Sequence, residues 1–442
     1  MNIAYICTDF GVPIFGYKGA SIHVREMVAA FRRDGHNVHI ISPAMNRGKE
    51  DEKGSNMGEE GLQNSDPFTI VSPPPEVDIK FDPELGSLSC LSVLPRPKHL
   101  EFIQELRELD QFLETSTRIR HEIRNLLYNT ALFNGVANYL KSQKIDMIYE
   151  RYTLFDYAGI KLARTLGVPH ILEVNAPLAY EQEKMRGLEM RALAKKMEKR
   201  IYQESDHVLV VSKELKEFVQ MCGVVGSRVS VSPNAVDPAR FGDSVTGKKI
   251  RSKYHLADKT VVGFVGSLKS WHGTETLLQA FKSLHSDFPH LHVLIVGDGP
   301  ERKNLENLAE KSEMGPAITF TGKIKYGDIP QYIGAMDIAV APYIPNDNFY
   351  FSPIKIFEYM AMGKAVIGAK IGQVQEIVRH RETGLLFEAG NINQLADRIS
   401  TLAKDQRLRE TLGKNARQWV FSERTWDNNA KKVIDIAREI RN

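Results

Sequence analysis

Apolar residues along this chain follow two alternating rhythms. Short, mainly apolar runs fall at 3–7, 38–41, 147–149, 170–174, 207–211 and 229–231. Runs of this kind fit strands buried on both faces. Between them the apolar positions recur at helical spacing, as over 21–33, where Gly35 supplies a stop. A second alternating set occupies 261–265, 291–296, 318–320, 338–341, 365–367 and 385–387. Strands that alternate with helices predict parallel sheets covered by helices. The expected fold class is therefore α/β, with two doubly wound, Rossmann-like domains and a cleft between them.

Boundaries follow from breaks in the rhythm. Residues 238–260 are polar, carry Gly242 and Gly247, and read as a linker. The expected domains are 1–240 and 241–419, with the helical end at 420–442 packing back on the first domain. Residues 44–98 are rich in Gly, Pro, Glu and Lys, and a segment that long without periodicity predicts a loosely packed insertion. A long amphipathic helix is expected over 101–127, on Phe102, Leu106, Leu109, Leu113, Ile119, Ile123 and Leu126.

Composition narrows the class. At 442 residues the chain has room for two or three domains. A formal net charge of +3 does not by itself argue for nucleic acid. The 3 cysteines, Cys7, Cys90 and Cys222, lie far apart and suggest neither a disulfide framework nor a zinc site. No apolar run approaches the roughly 20 residues of a membrane span. Residues 2–7 already read as a core strand, so no leader is expected ahead of them. The reading is a cytoplasmic protein.

The chemistry concentrates at 351–364. Ser352 suits a helix N-cap and Pro353 the first helical position. Ile356, Phe357, Met360 and Ala361 then repeat at helical spacing, and Gly363 fits the stop. A helix N-terminus at Ser352, Pro353, Ile354 and Lys355 favours phosphate. Glu358, further in, can accept hydrogen bonds from two neighbouring hydroxyls, such as those of a ribose. The strand readings on either side put this helix at the carboxyl end of a parallel strand, where open α/β sheets bind ligands. In the first half, Glu150-Arg151 and Glu173-Val174-Asn175 stand at consecutive strand ends and are candidate catalytic groups. His23, in the first turn of the helix after a loop with Gly11, Gly16 and Gly19, is a further candidate. The segment 181–200 alternates basic and apolar residues. It reads as a solvated helix, with contact at the inner membrane face as the competing reading.

An ordered set of motifs then gives a resemblance. Ser232-Pro-Asn-Ala-Val-Asp237, Gly266-Ser-Leu-Lys-Ser-Trp-His-Gly273, Val296-Gly-Asp-Gly-Pro300, Phe320-Thr-Gly-Lys-Ile324 and the Glu358 helix follow one another. Together the motifs resemble the retaining glycosyltransferases of family 4, which have the GT-B fold. The resemblance implies a nucleotide-sugar donor, UDP- or GDP-linked, on the second domain. It implies a saccharide, lipid-linked or small-molecule acceptor on the first, and a role in glycan or polysaccharide biosynthesis. Glu358 would hold the donor ribose, and Gly322, Lys323 and Ile324 would line the base. Gly266 and Gly297 would approach the diphosphate, with Gly19 facing it from the first domain. No Asp-x-Asp pair occurs in the sequence, which agrees with the metal-independent chemistry usual for that fold; no cofactor and no nucleic acid are expected.

Departures from the family pattern are specific. Tyr350 stands where a Glu contacts the transferred sugar. Ser267 and His272 replace the basic pair on the diphosphate, leaving Lys269 or Lys355 to supply charge, and His272 if protonated. Two alternatives therefore stay open: a nucleotide-sugar-binding module without transfer, and another GT-B enzyme such as a sugar-nucleotide epimerase.

Overall fold

The computed structural model describes residues 1–16, 18–45, 69–71, 87–242, 244–346 and 349–441. The chain forms two compact units, Met1–Ser232 with Asn429–Asn442, and Pro233–Asn428.

The first unit is built on an eight-stranded sheet. Its strands are β1 (Asn2–Cys7), β2 (Asn37–Ser42), β3 (Thr69–Ile70), β4 (Leu88–Ser92), β5 (Met147–Arg151), β6 (His170–Val174), β7 (His207–Val210) and β8 (Val229–Val231). Their order is β3-β4-β2-β1-β5-β6-β7-β8, and only the short β3 runs antiparallel to its neighbour. Successive crossovers leave β1 in opposite directions, towards β2 and towards β5. The topological switch point lies between β1 and β5, and ligands of such sheets bind outside the carboxyl ends there. Helices cover both faces because the strands are apolar on both: Ala4, Ile6 and Ile148 pack under the Ile119–Ser142 helix residues Leu132, Val136 and Leu140. At the chain end Lys432 donates to the Val231 carbonyl at 2.7 Å and Arg441 pairs with Asp146 at 2.6 Å.

The second unit repeats the plan on six parallel strands. They are β9 (Thr260–Val265), β10 (Leu291–Val296), β11 (Ile318–Phe320), β12 (Ile338–Ala341), β13 (Ala365–Lys370) and β14 (Gly384–Glu388), in the order β11-β10-β9-β12-β13-β14. Its switch point is between β9 and β12. One continuous core runs from Val236 to Val420.

Three expectations need correction. The irregular segment does not extend over 44–98: Leu88–Ser92 pairs with β2 in parallel register, Cys90 and Leu91 are buried, and a helix begins at Pro97. Residues 46–68 and 72–86 of that expectation lie outside the described residues. The amphipathic pattern over 101–127 is two helices, Pro97–Phe112 and Ile119–Ser142. Between them Glu114 takes φ 51, and Thr117 donates to the Asp110 carboxylate at 2.7 Å. A side chain that bonds locally offers the backbone an alternative to the helix. The segment 181–200 also breaks, into Leu178–Met185 and Arg191–Glu204, with Gly187 at φ 80 between them and Leu188 buried. No helix among the described residues is long and apolar enough to cross a membrane.

Candidate active site

In the second unit the strand-end loops are fastened backbone to backbone. The Gly266 amide donates to the Val296 carbonyl at 2.9 Å, and the Gly297 amide donates to the Gly322 carbonyl at 3.1 Å. Gly266 has φ +145 and Gly297 φ +134, conformations that only glycine adopts without strain. A Cβ on Gly297 would meet the Gly266 carbonyl oxygen at 2.0 Å. The result is a backbone-lined floor across the carboxyl ends of β9 and β10, next to the switch point. Gly297→Ala is expected to cost about 2 kcal/mol from overpacking and backbone strain. Urea denaturation checks it, and an unchanged midpoint would mean the two loops part freely.

The helix beside this floor runs Ile354–Ala361. Its start corrects the sequence reading. Pro353, not Ser352, is the residue before the helix, and no side chain among the described residues caps it. Ser352 instead faces the loop at 232–237: its hydroxyl accepts from the Asn234 amide at 2.9 Å, and its carbonyl accepts from the Asn234 side chain at 2.7 Å. The helix is pinned at its other end by Tyr359, whose hydroxyl accepts from the Val265 amide at 2.7 Å. Gly363 at φ +63 ends it, as the sequence suggested. Neither Asn234 nor Tyr359 was singled out from sequence, because each acts through a contact distant along the chain.

Lys355 is the outstanding group here. Its Nζ is buried and has no hydrogen-bond partner among the described residues. It lies 4.1 Å over the Phe264 ring and 5.4 Å from the centre of the Tyr343 ring. It also stands 2.7 Å from the point a Cβ on Gly266 would occupy. Burial lowers its pKa to about 7, against a smaller opposing pull from Glu358. Glu358 is buried one turn along the same helix. A cation caged by aromatic rings over a glycine floor is arranged to meet an anion.

The other expected donor contacts spread out around this point. His272 is uncharged in the free protein: burial first, then the Lys355 charge, lowers its pKa to about 3, and its Nδ1 hydrogen-bonds the Ser267 carbonyl oxygen. The Ser267 hydroxyl is 3.5 Å from the same ring nitrogen. Lys269 lies 4.5 Å over the Trp271 ring. Lys323 is exposed, while Ile324 packs partly buried on the core. Tyr350 is half-buried, its ring edge-on to Phe351 at 6.2 Å.

In the first unit the candidates divide between the two faces of the sheet. Register sets Cys7, Arg151 and Glu173 side by side on β1, β5 and β6. Glu173 is the centre of the group. It meets His23 Nε2 at 2.8 Å and Arg151 at 2.9 Å, and it accepts from the Tyr149 hydroxyl and the Asn175 amide. Burial would raise its pKa, but His23, Arg151 and the Tyr149 hydroxyl together hold it well below the usual carboxylate range. Thus His23, Arg151 and Asn175 converge on one carboxylate. Gly19 is exposed at the start of the Gly19–Arg33 helix, which carries His23. Tyr149, unnoticed in the sequence, is found from the two-residue period of β5.

Glu150 does not join this group. Alternation sends it to the opposite face, where it is 1% exposed and hydrogen-bonds His170 at 2.6 Å. A Cβ on Gly159 would strike its carboxylate at 2.0 Å. Burial raises its pKa to about 7. Its position makes it an internal support of the sheet, not a group presented at the strand end.

Comparison with known proteins agrees with this layout. The family model for Glycosyl transferases group 1 matches residues 247–419, and that for Glycosyltransferase Family 4 matches residues 93–240. Among curated relatives, the GDP-mannose-dependent alpha-(1-6)-phosphatidylinositol monomannoside mannosyltransferase of Mycobacterium tuberculosis is 27% identical over 257 residues. That stretch is 57% of this chain and 66% of the relative, just under two thirds of its length. Among solved structures, sucrose-phosphate synthase from Thermosynechococcus elongatus superposes with a TM-score of 0.69 at 20% identity, covering 99% of this chain and 98% of that one. Anabaena HepE in complex with UDP-glucose gives 0.65 at 17%, covering 100% and 99%. With both family models matched in chain order and a Rossmann-like sheet in each unit, the chain belongs to glycosyltransferase family 4 and has the GT-B fold.

Proposed function

We propose that this protein is a retaining glycosyltransferase that moves a hexose-type sugar from a UDP- or GDP-sugar to a saccharide or glycolipid acceptor. The observation that carries the reading is the buried Lys355 amine, without a hydrogen-bond partner among the described residues, over the glycine floor. A diphosphate laid on Gly266 and Gly297 gains backbone approach from the floor and a cation from Lys355. The chain thereby supplies charge of its own to the departing diphosphate, which supports chemistry without a metal. Glu358 takes the ribose hydroxyls. In the first unit, His23, Arg151 and Asn175 offer polar groups to acceptor hydroxyls, held in place by Glu173.

The named relatives support the donor class. The mycobacterial enzyme is described as GDP-mannose-dependent, and the Anabaena protein was solved with UDP-glucose. Family membership supports retention of configuration.

Thermal stability against UDP, GDP, ADP and their sugar conjugates tests the reading. A ligand at 100 times its dissociation constant stabilises by about 2.7 kcal/mol. One nucleotide family should raise the melting temperature, and release of nucleoside diphosphate from its sugar conjugate should quicken with acceptor. Binding without release would convert the reading to a silent module; interconversion of the sugar with the nucleotide attached would make it an epimerase. Glu358→Ala is expected to weaken donor binding by about 2 kcal/mol through loss of charge-assisted bonds. Calorimetry with the preferred nucleotide checks this, and an unchanged affinity in a folded variant removes the ribose role.

A further inference from the structure

The seam between β9 and β12, at the switch point of the second unit, is open at its carboxyl end. β9 pairs with β10 as far as Val265 and Val296, and β12 pairs with β13 as far as Ala341 and Gly368. β9 and β12 pair with each other only at Val262 with Ile338 and at Gly263 with Ala339. Amides two residues apart on a strand face the same neighbour. The Val261 amide marks the β12 side, because it donates at 2.7 Å to the carboxylate of Asp337, the residue before β12. The Val265 amide therefore points into the open part of the seam. Val265 is buried there, and a buried amide needs an acceptor.

The acceptor comes from the helix and not from a strand. Val265 donates to the Tyr359 hydroxyl at 2.7 Å, and among the described residues this is the one hydrogen bond that hydroxyl makes. Tyr359 is wholly buried. Lys355 stands one turn before it, so the two side chains share a face of the Ile354–Ala361 helix. Together they meet three consecutive residues of the strand end. Lys355 lies over the Phe264 ring, Tyr359 takes the Val265 amide, and the Lys355 Nζ stands beside the Cβ position of Gly266. A tie placed between the two contacts of the lysine fixes how closely the amine approaches the floor and how far water is kept from it. We infer that Tyr359 is a positioning residue of the donor site: by closing the seam between β9 and β12 it holds Lys355 in place over the Gly266 floor. The inference deepens the transferase reading and rests on it, since the ligand of this site is taken to be the diphosphate of a sugar nucleotide.

The charge on Lys355 reports its placement. Among the described residues the titratable groups that face it are Glu358 from its own helix, Tyr343 from the segment after β12 and His272 from the loop after β9. Burial raises the Tyr343 pKa and lowers that of His272, so both are uncharged near pH 7. The Lys355 amine then answers to its own burial first and to Glu358 second. A helix that moves off the strand end lets water reach the amine, and its titration rises towards the ordinary 10.5.

Tyr359→Phe in the full chain is the test. It keeps the ring and leaves the Val265 amide without its acceptor. Nuclear magnetic resonance of lysines isotope-labelled at Cε follows the Lys355 titration, whose signal is the one missing from Lys355→Met. The midpoint is expected to move up in Tyr359→Phe. Affinity for the preferred sugar nucleotide is measured by calorimetry well below pH 7, where the amine is charged in both proteins and only its placement differs. It is expected to fall about tenfold, the scale of a small misplacement at a site. The same change made in Lys355→Met should cost clearly less, as for two groups that act through one another. Asp337→Ala is the control at the far end of the same seam: it strands the Val261 amide and lowers the urea midpoint, but should leave the Lys355 titration and the affinity as they are.

An unmoved titration and an unchanged affinity in folded Tyr359→Phe would overturn the inference and, with sugar nucleotide still bound by the wild type, leave the transferase reading standing. An equal loss of affinity with and without Lys355 would overturn it too, as would effects of the same size in Asp337→Ala. A wild type that binds no sugar nucleotide, with the Lys355 titration moved by Tyr359→Phe, would do the reverse: the tyrosine keeps its hold on the lysine and the transferase reading falls.

Discussion

Glu173→Gln is expected to destabilise the first unit by about 3–5 kcal/mol near neutral pH, the range for breaking a buried ion pair by removing one partner. The side chain is 5% exposed and accepts from four groups on three different segments. A glutamine keeps the shape but presents one acceptor oxygen and two unwanted donors. Arg151 would then remain largely buried without its carboxylate, and Tyr149 would lose its acceptor. The pH dependence has a definite sign. The folded pKa of Glu173 lies below its ordinary 4.5. The stabilisation is therefore fully present above about 4.5 and is lost as pH falls towards the folded value. Wild type and variant should converge in stability on acidification. Urea denaturation across pH reads this as a lower midpoint at unchanged slope. Glu173→Gln combined with Arg151→Met should lose less than the two single changes added together, because the stranded charge is gone. A loss below about 1 kcal/mol would place the group among ordinary surface pairs.

Legibility in the sequence followed the range of the interaction involved. The strands were readable because strands covered on both faces are mainly apolar. β4 was not, since Leu88–Ser92 carries polar serines and follows a stretch of weak pattern. Its place was decided by pairing with β2. The helix break after Phe112 was hidden because apolar residues keep helical spacing across it, and only a local backbone turn interrupts them.

The same distinction runs through the site. Arg151 and Glu173 were recognisable as strand-end groups, and period two puts Tyr149 with them. Glu150 was misjudged for the same reason: adjacent residues on a strand face opposite ways, so both members of the Glu150-Arg151 pair could not reach one site. Ser352 had the chemistry of an N-cap, yet its hydroxyl was claimed by Asn234 from a distant loop. His272 occupied a basic position in the family pattern. Burial beside Lys355 removes its charge, and no motif records burial.

Lys355→Met is expected to weaken binding of the preferred sugar nucleotide by about 3 kcal/mol at pH 7, the upper range for a charge-assisted hydrogen bond. Methionine preserves the apolar stem against Phe264 and Tyr343, so the cage should stay packed. The more discriminating result is the pH profile. In the free protein the amine has a pKa of about 7, down from 10.5, because burial disfavours its charged form. Between those values the unfolded chain holds a proton that the folded chain does not, so this group makes stability rise with pH across the window. A bound diphosphate favours the charged amine and draws its pKa back up. Binding must then take up a proton between pH about 7 and that raised value. Affinity should fall about tenfold per pH unit above 7, and be independent of this group well below it. A sugar nucleotide is the right probe, because its diphosphate is esterified at both ends and lacks the terminal phosphate proton that titrates near pH 6. Calorimetry in two buffers of different ionisation enthalpy should report proton uptake in the wild type and none from this group in Lys355→Met. A flat profile in the wild type would mean that Lys355 is charged before the donor arrives. The cage would then be a fixed cation site, not one that charges as its ligand binds.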